Sequence, residues 1–334
     1  MVHRNDLAPS IAGLPPEHVF FGRSPVMQAV RDKIRKVADT NVPLLIQGDH
    51  GTGKEVLARL VHAHSVWNKG PFVKVNCAAI PGTLIESELF GYERGAFTGA
   101  YTSKPGRVEA AHGGTLFFDG ISELDLGVQA KLLQFLQDGR FSRIGDHEER
   151  RVETRIICAT NRQLEEEIAG GRFRLDFFYR INVFHFKLPP LRDRRADIPS
   201  LVDYFISNFT VRFERPVPPL PEKIMRILQR RDWPGNIREL ENCIARCAIL
   251  GAEDAFEGFV KEKQPFPAEA ETQASTPLRH IADKVRRELE RDVILKTLET
   301  YNWNRRRTAE ALQISYRTLL YKVREAGIPS MRQR

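Results

Sequence analysis

The chain has 334 residues, enough for two or three domains with a sizeable core. Its 42% hydrophobic and 28% charged residues describe an ordinary globular protein, with no run of about 18 apolar residues to cross a membrane and no signal-peptide pattern at Met1–Pro16. Net charge is +8, and residues 279–334 alone carry 14 Lys/Arg against seven Asp/Glu, so a near-neutral body ends in a basic module suited to a polyanion.

These features predict a cytoplasmic protein without membrane contact. Cys77, Cys158, Cys243 and Cys247 are scattered, with no histidine pair beside them, and read as buried free thiols rather than a metal site.

Residues 1–17 read as an arm. An apolar helical pattern then runs through Met27, Val30, Ile34 and Val37, followed by a buried strand over Val42–Ile46. That strand opens into Gly48-Asp49-His50-Gly51-Thr52-Gly53-Lys54-Glu55 and an amphipathic helix, Val56–His64. Strand, glycine loop, lysine and helix form a phosphate cradle, in which backbone N–H groups face the β- and γ-phosphates and Lys54 adds a point charge. The Ser/Thr that usually follows the lysine is Glu55 here.

Further strands are predicted at Phe72–Val75, ending at Asn76, at Leu116–Phe118, ending in Asp119, at Arg155–Ala159, ending in Thr160-Asn161, and at Val183–Leu188. Their alternation with helical patterns predicts an α/β P-loop NTPase domain with a parallel sheet, its ligand lying at the C-terminal strand ends. Asp119 is placed to hold Mg²⁺ through water.

From Leu191 only helices are expected: Ile198–Phe209, Lys223–Arg231, and a helix to Leu250 after Trp233-Pro234-Gly235-Asn236-Ile237-Arg238. They form a small α-helical lid domain. The predicted division is an arm at 1–17, a nucleotide domain at 18–190, a lid at 191–260, a polar linker at 261–280 and an all-α domain at 281–334. In that last domain, helices over Ile281–Tyr301, Arg306–Leu312 and Ser315–Ala326 have helix-turn-helix spacing around Leu312, Ile314, Leu319, Leu320 and Val323. Tyr316, Arg317, Thr318, Tyr321 and Lys322 fall where a recognition helix meets double-stranded DNA, with Arg305, Arg306 and Arg307 set for phosphates.

Gly95-Ala96-Phe97-Thr98-Gly99-Ala100 brackets one aromatic ring with glycines. Such a ring can fold back onto the core or stand at a hairpin tip, where it suits a protein partner.

With these motifs, and with Glu88-Leu89-Phe90-Gly91 just before that loop, residues 18 to about 327 resemble a bacterial enhancer-binding protein, the AAA+ activator of sigma-54 RNA polymerase. The resemblance implies an ATP- and Mg²⁺-dependent ring, usually a hexamer, that binds an upstream enhancer through a Fis-type helix-turn-helix. It also implies that Gly95–Ala100 is presented to sigma-54 and that an acidic residue at Glu55 is ordinary. Asn76 matches a γ-phosphate sensor that switches a catalytic glutamate, Thr160 and Asn161 the first sensor, and Arg238 the second. Arg174 and Arg180, read as two guanidinium groups in one turn, match fingers that reach a neighbouring subunit's nucleotide. Alone they would read as a solvated helix face. With no receiver or ligand-sensing segment in the sequence, regulation is expected from a separate protein or from expression level.

One position departs from the family. A glutamate normally follows the Walker B aspartate, and this chain has Gly120 after Asp119. Losing a positioned base costs about 10²- to 10⁴-fold in rate. Slow or absent hydrolysis, a stand-in carboxylate such as Glu123, and mixed rings with a competent partner are three open explanations.

Overall fold

The computed structural model describes residues 14–251 and, in the tail, residues 297, 298, 301, 303–311, 316, 318, 319 and 323. The chain divides into two compact units, 1–262 and 263–334.

In the first unit, α1 (Glu17–Phe20) and α2 (Pro25–Val37) lead into β1 (Leu44–Gln47) and α3 (Lys54–Ala63). Then come β2 (Phe72–Asn76), α4 (Gly82–Phe90), β3 (Gly91–Tyr92), β4 (Lys104–Pro105), α5 (Arg107–Ala110) and β5 (Thr115–Asp119). They are followed by α6 (Leu126–Asp138), β6 (Arg140–Phe141), β7 (Arg150–Arg151), β8 (Arg155–Thr160), α7 (Leu164–Ala169), α8 (Leu175–Ile181) and β9 (Phe184–Lys187).

Five strands make one sheet in the order β2-β5-β8-β1-β9, and every pairing is parallel. The central strands bury both faces, which is why β1, β5 and β8 are apolar runs rather than alternating ones. Period-two geometry still sorts their side chains. Leu45, Leu116, Phe118, Ile156 and Cys158 pack with Ile85, Leu132 and Phe177, whereas Leu44, Ile46, Phe117, Ile157 and Ala159 pack with Met27, Ile34, Leu57 and Val61. The helices of α4, α6 and α8 therefore cover one face and α2 and α3 the other.

Helices then take over: a 3-10 segment at Leu191–Asp197, α9 (Ile198–Phe213), α10 (Glu222–Arg230) and α11 (Asn236–Leu250). Their core of Phe205, Phe209, Leu240 and Ile244 closes around Trp233, which is fully buried and donates its indole N–H to Leu228 O at 2.7 Å. Val19 of α1 joins this core while its neighbour Phe20 joins the sheet's, so the entering chain spans both.

In the second unit, α12 (Arg305–Ala311) starts at Asn304, whose Oδ1 accepts from Arg307 N at 3.3 Å. Leu298, Thr308, Ala309, Leu319 and Val323 are buried. Residues 1–13 of the arm, the linker at 261–280, and Leu312, Ile314, Arg317, Leu320, Tyr321 and Lys322 lie outside the described residues. No described helix is long and apolar enough to cross a membrane.

Candidate nucleotide site and exposed loop

β1 ends in the glycine loop, and the loop's geometry explains its glycines. Gly51 and Gly53 have φ of 75° and 99°, and a Cβ on Gly51 would lie 2.3 Å from Gly235 O. Lys54 Nζ donates to Gly48 O at 2.7 Å and Asp49 O at 3.0 Å, curling the ammonium into the loop. Thr52 is buried, its hydroxyl donating to Asp49 O at 2.8 Å.

A cleft of about 680 Å³ opens beside the loop, lined among others by His50, Lys54, Asn76, Asp119, Thr160 and Arg238. The parallel register β2–β5–β8 sets Asn76 beside Asp119 and Asp119 beside Ala159, so side chains from distant sequence meet at the strand ends. Burial pushes the Lys54 ammonium below the usual lysine range, against the opposing pull of Asp119 and Asp49. An anion reaching the loop would favour the charged form.

Three features escape sequence reading. Lys74, two residues before Asn76 on the same face of β2, lies 2.6 Å from Glu55 and 3.3 Å from Asp119. Glu55 also holds Arg59 at 2.9 Å. Burial acts to raise the Glu55 carboxyl, but the bonds from Lys74 and Arg59 prevail and hold it below the usual range. Glu55 is thus committed to a cationic network. The alternation of β2 was the available signal for Lys74. The second feature is His50 Nε2, 2.9 Å from Asn161 Nδ2, which ties the phosphate loop to the end of β8. Third, Arg194, nearly fully buried, donates to Thr52 O at 2.8 Å.

The donor set fits a nucleoside triphosphate: the glycine-loop backbone, Lys54 and Asp119 converge on a single cleft, with Glu55 neutralised by Lys74 and Arg59. For a divalent cation the protein offers little beyond Asp119, and no cluster of three His/Cys/Asp/Glu is present among the described residues. That suits Mg²⁺ held mainly by phosphate oxygens and water.

Gly120 has φ 85° and carries no side chain toward the cleft. Arg174 and Arg180 do not line it. Nor do they share one turn, a correction to the sequence expectation: Arg174 precedes α8, and Arg180 sits in its last turn, so the helix separates them. Their six-residue spacing exceeds the about 3.6 residues of one turn, and Arg174 lies outside the helix in extended backbone, its N–H donating to Gln129 Oε1 at 2.8 Å. Arg174 pairs with Asp176 at 2.6 Å, and the exposed Arg180 donates to Leu136 O at 2.6 Å.

Gly95–Ala100 caps the β3–β4 hairpin. Gly95 N donates to Ala100 O at 2.9 Å, Ala100 is buried, and Thr98 and Gly99 are exposed. Phe97 is 44% exposed, with its ring 5.0 Å from that of Tyr92, so it stands out of the fold while leaning on one neighbour. A second hairpin, β6–β7, braces it: Ile144 N donates to Gly91 O and Glu93 N to Ile144 O, both at 3.0 Å. Arg143 bridges Glu93 at 2.9 Å and Glu109 at 2.7 Å. In the tail, Arg306, Arg307, Tyr316 and Thr318 are exposed and Arg305 is half-buried.

Comparison with known proteins matches these parts. The Sigma-54 interaction domain matches residues 20–187, the AAA+ ATPase lid domain 192–275, and the Fis-family bacterial regulatory protein 285–325. The chain is 44% identical to Regulatory protein AtoC of Escherichia coli over 311 residues, covering 91% of this chain and 67% of that protein. It is 41% identical to a Nif-specific regulatory protein of Azotobacter vinelandii over 319 residues, covering 93% of this chain but 59% of the relative. A crystal structure of NtrX from Brucella abortus in complex with ATP superposes with a TM-score of 0.67 at 34% identity, covering 92% of this chain and 69% of that one. The chain thus spans about three-fifths to two-thirds of these relatives' lengths. With its lid and Fis-type segment, it belongs to the sigma-54 interaction family of AAA+ regulators.

Proposed function

We propose that this protein is a DNA-bound transcriptional activator that couples an ATP cycle in a ring to remodelling of the sigma-54 RNA polymerase closed complex. The observation that carries this reading is the braced, half-exposed Phe97 standing on the same α/β unit whose sheet end gathers Lys54, Asn76 and Asp119. In this reading Gly48–Glu55 cradle the phosphates and Asp119 holds Mg²⁺ through water. Asn76, Thr160, Asn161 and Arg238 report the γ-phosphate. Arg174 and Arg180, outside their own cleft, act on a neighbouring subunit's nucleotide in a hexamer. The exposed Arg306, Arg307 and Tyr316, with Arg305, Arg317, Thr318, Tyr321 and Lys322, meet the enhancer. The division of labour follows the domains 18–190, 191–260 and 281–334.

A complex of the purified chain with sigma-54 in the presence of an ATP transition-state analogue tests this. Retention of sigma-54 is expected, and its loss in Phe97→Ser with analogue binding intact. Failure of the unmodified chain to retain sigma-54 while it binds the analogue would reject the reading. Gly120 favours a second reading, a DNA-bound regulator that binds ATP and hydrolyses it poorly, and phosphate release at ring-forming concentration separates the two.

A further inference from the structure

We infer that Glu123 supplies the carboxylate missing at position 120, accepting the proton of the attacking water. This rests on the reading that the cleft binds a nucleoside triphosphate. Gly120 sits at the end of β5 with left-handed φ, and its carbonyl accepts from Glu123 N at 3.0 Å. That tight turn brings residue 123 back over residue 120. Apart from its chain neighbours Asp119 and Ile121, a Cβ built on Gly120 would find two heavy atoms within 4 Å: Glu123 Cγ at 3.6 Å and Ala78 N at 3.9 Å. The one side chain beside the empty place is therefore a glutamate. Glu123 lines the same cleft wall as Asp119, Asn76 and Lys54.

Its carboxylate lies 2.8 Å from Arg162, which follows Asn161 at the end of β8. Arg162 thereby links Glu123 to the segment that would sense the γ-phosphate. The pair is partly exposed, so the carboxylate can turn into the cleft without leaving an unpaired buried charge. In the step itself, the water oxygen bonds to the γ-phosphorus as the bond from that phosphorus to the β,γ-bridging oxygen breaks. The bridging electron pair departs with the nucleoside diphosphate, and the water proton passes to a Glu123 carboxylate oxygen and then to solvent. A positioned base of this kind contributes about 10²- to 10⁴-fold.

The test uses the full chain at ring-forming concentration, comparing the unmodified protein with Glu123→Gln, Gly120→Glu, the double variant and a Lys54→Ala background. Binding of a fluorescent ATP analogue and steady-state phosphate release are both read. Glu123→Gln is expected to bind the analogue within about threefold of the unmodified chain and to release phosphate about 100-fold more slowly or worse. Adding Gly120→Glu to it should restore at least about a tenth of the lost rate, which a purely structural defect at Arg162 would not allow. Equal turnover in Glu123→Gln and the unmodified chain overturns the inference. So does an unmodified chain that binds the analogue but releases phosphate no faster than Lys54→Ala. Absence of analogue binding by the unmodified chain would instead reject the nucleotide cleft on which the inference rests.

Discussion

At the scale of single residues, the candidate site is decided by backbone conformation as much as by side-chain chemistry. Gly120 has φ 85° and ψ 48°, a region in which a Cβ crowds the following carbonyl. The space around it is open, so the obstacle to a larger residue is conformational rather than steric. Gly120→Ala should therefore lower stability by about 1–2 kcal/mol with no change in nucleotide affinity, read from the urea midpoint and analogue titration. Unchanged stability would mean the turn relaxes freely. Lys74 makes the complementary point: one ammonium partly neutralises both Glu55 and Asp119, two carboxylates that would otherwise face incoming phosphates together. The acidic residue after Lys54 is tolerable because its partner arrives from another strand.

At the scale of elements, the loop that carries Phe97 depends on a second hairpin. Arg143 reaches from the β6–β7 connection to Glu93 at the base of one hairpin and to Glu109 of α5. The hydrogen bonds from Arg143 hold the Glu109 carboxyl below its ordinary value of 4.5, with burial opposing. A carboxyl lowered in the fold stabilises it fully above that ordinary value, and the contribution is lost as pH falls through the lowered folded value. Thermal unfolding of the unmodified chain should accordingly exceed that of Glu109→Gln at pH 6, and the gap should close on acidification below about pH 4.5. A gap independent of pH would show that Arg143 and Glu109 do not act as a charged pair. Tyr92 contacts Phe97 edge to face, and the residue stays 44% exposed. Presentation thus comes from two zipped hairpins rather than from the glycines alone.

At the scale of the first compact unit, the lid is bonded directly to the phosphate loop. Asn236 Nδ2 donates to His50 O at 2.8 Å, Ile237 N to Gly51 O at 3.0 Å, and Arg194 to Thr52 O at 2.8 Å. Asn236 is fully buried at φ 54°, and its Oδ1 accepts from Leu191 N at 2.8 Å, so one side chain joins the phosphate loop, the start of the lid and the start of α11. These bonds join the loop to the start of α11, the helix that carries Arg238. Asn236→Ala would strand buried polar groups and remove a residue type that tolerates left-handed backbone better than alanine does. A loss of about 1–3 kcal/mol in unfolding free energy is expected, with weakened analogue binding. A variant of unchanged stability would show that the lid is held by its apolar core alone.

The sequence by itself determined the parallel α/β class, the phosphate loop, the carboxylate ending β5 and the basic tail. Each is written in neighbouring residues: apolar runs long enough for buried strands, glycines where a Cβ cannot fit, and clustered charge. It also marked Gly120 as a departure. Tertiary structure alone decided what surrounds these features, because strand register and chain reversal bring together residues that no local pattern connects. Thus Lys74 meets Asp119 across β2 and β5, Asn236 meets His50, and Arg143 locks two hairpins that sequence spacing leaves independent. At Gly120 the structure adds the conformation to a neighbour the sequence already named: one hydrogen bond and one left-handed residue set Glu123 Cγ 3.6 Å from where a Cβ on residue 120 would lie.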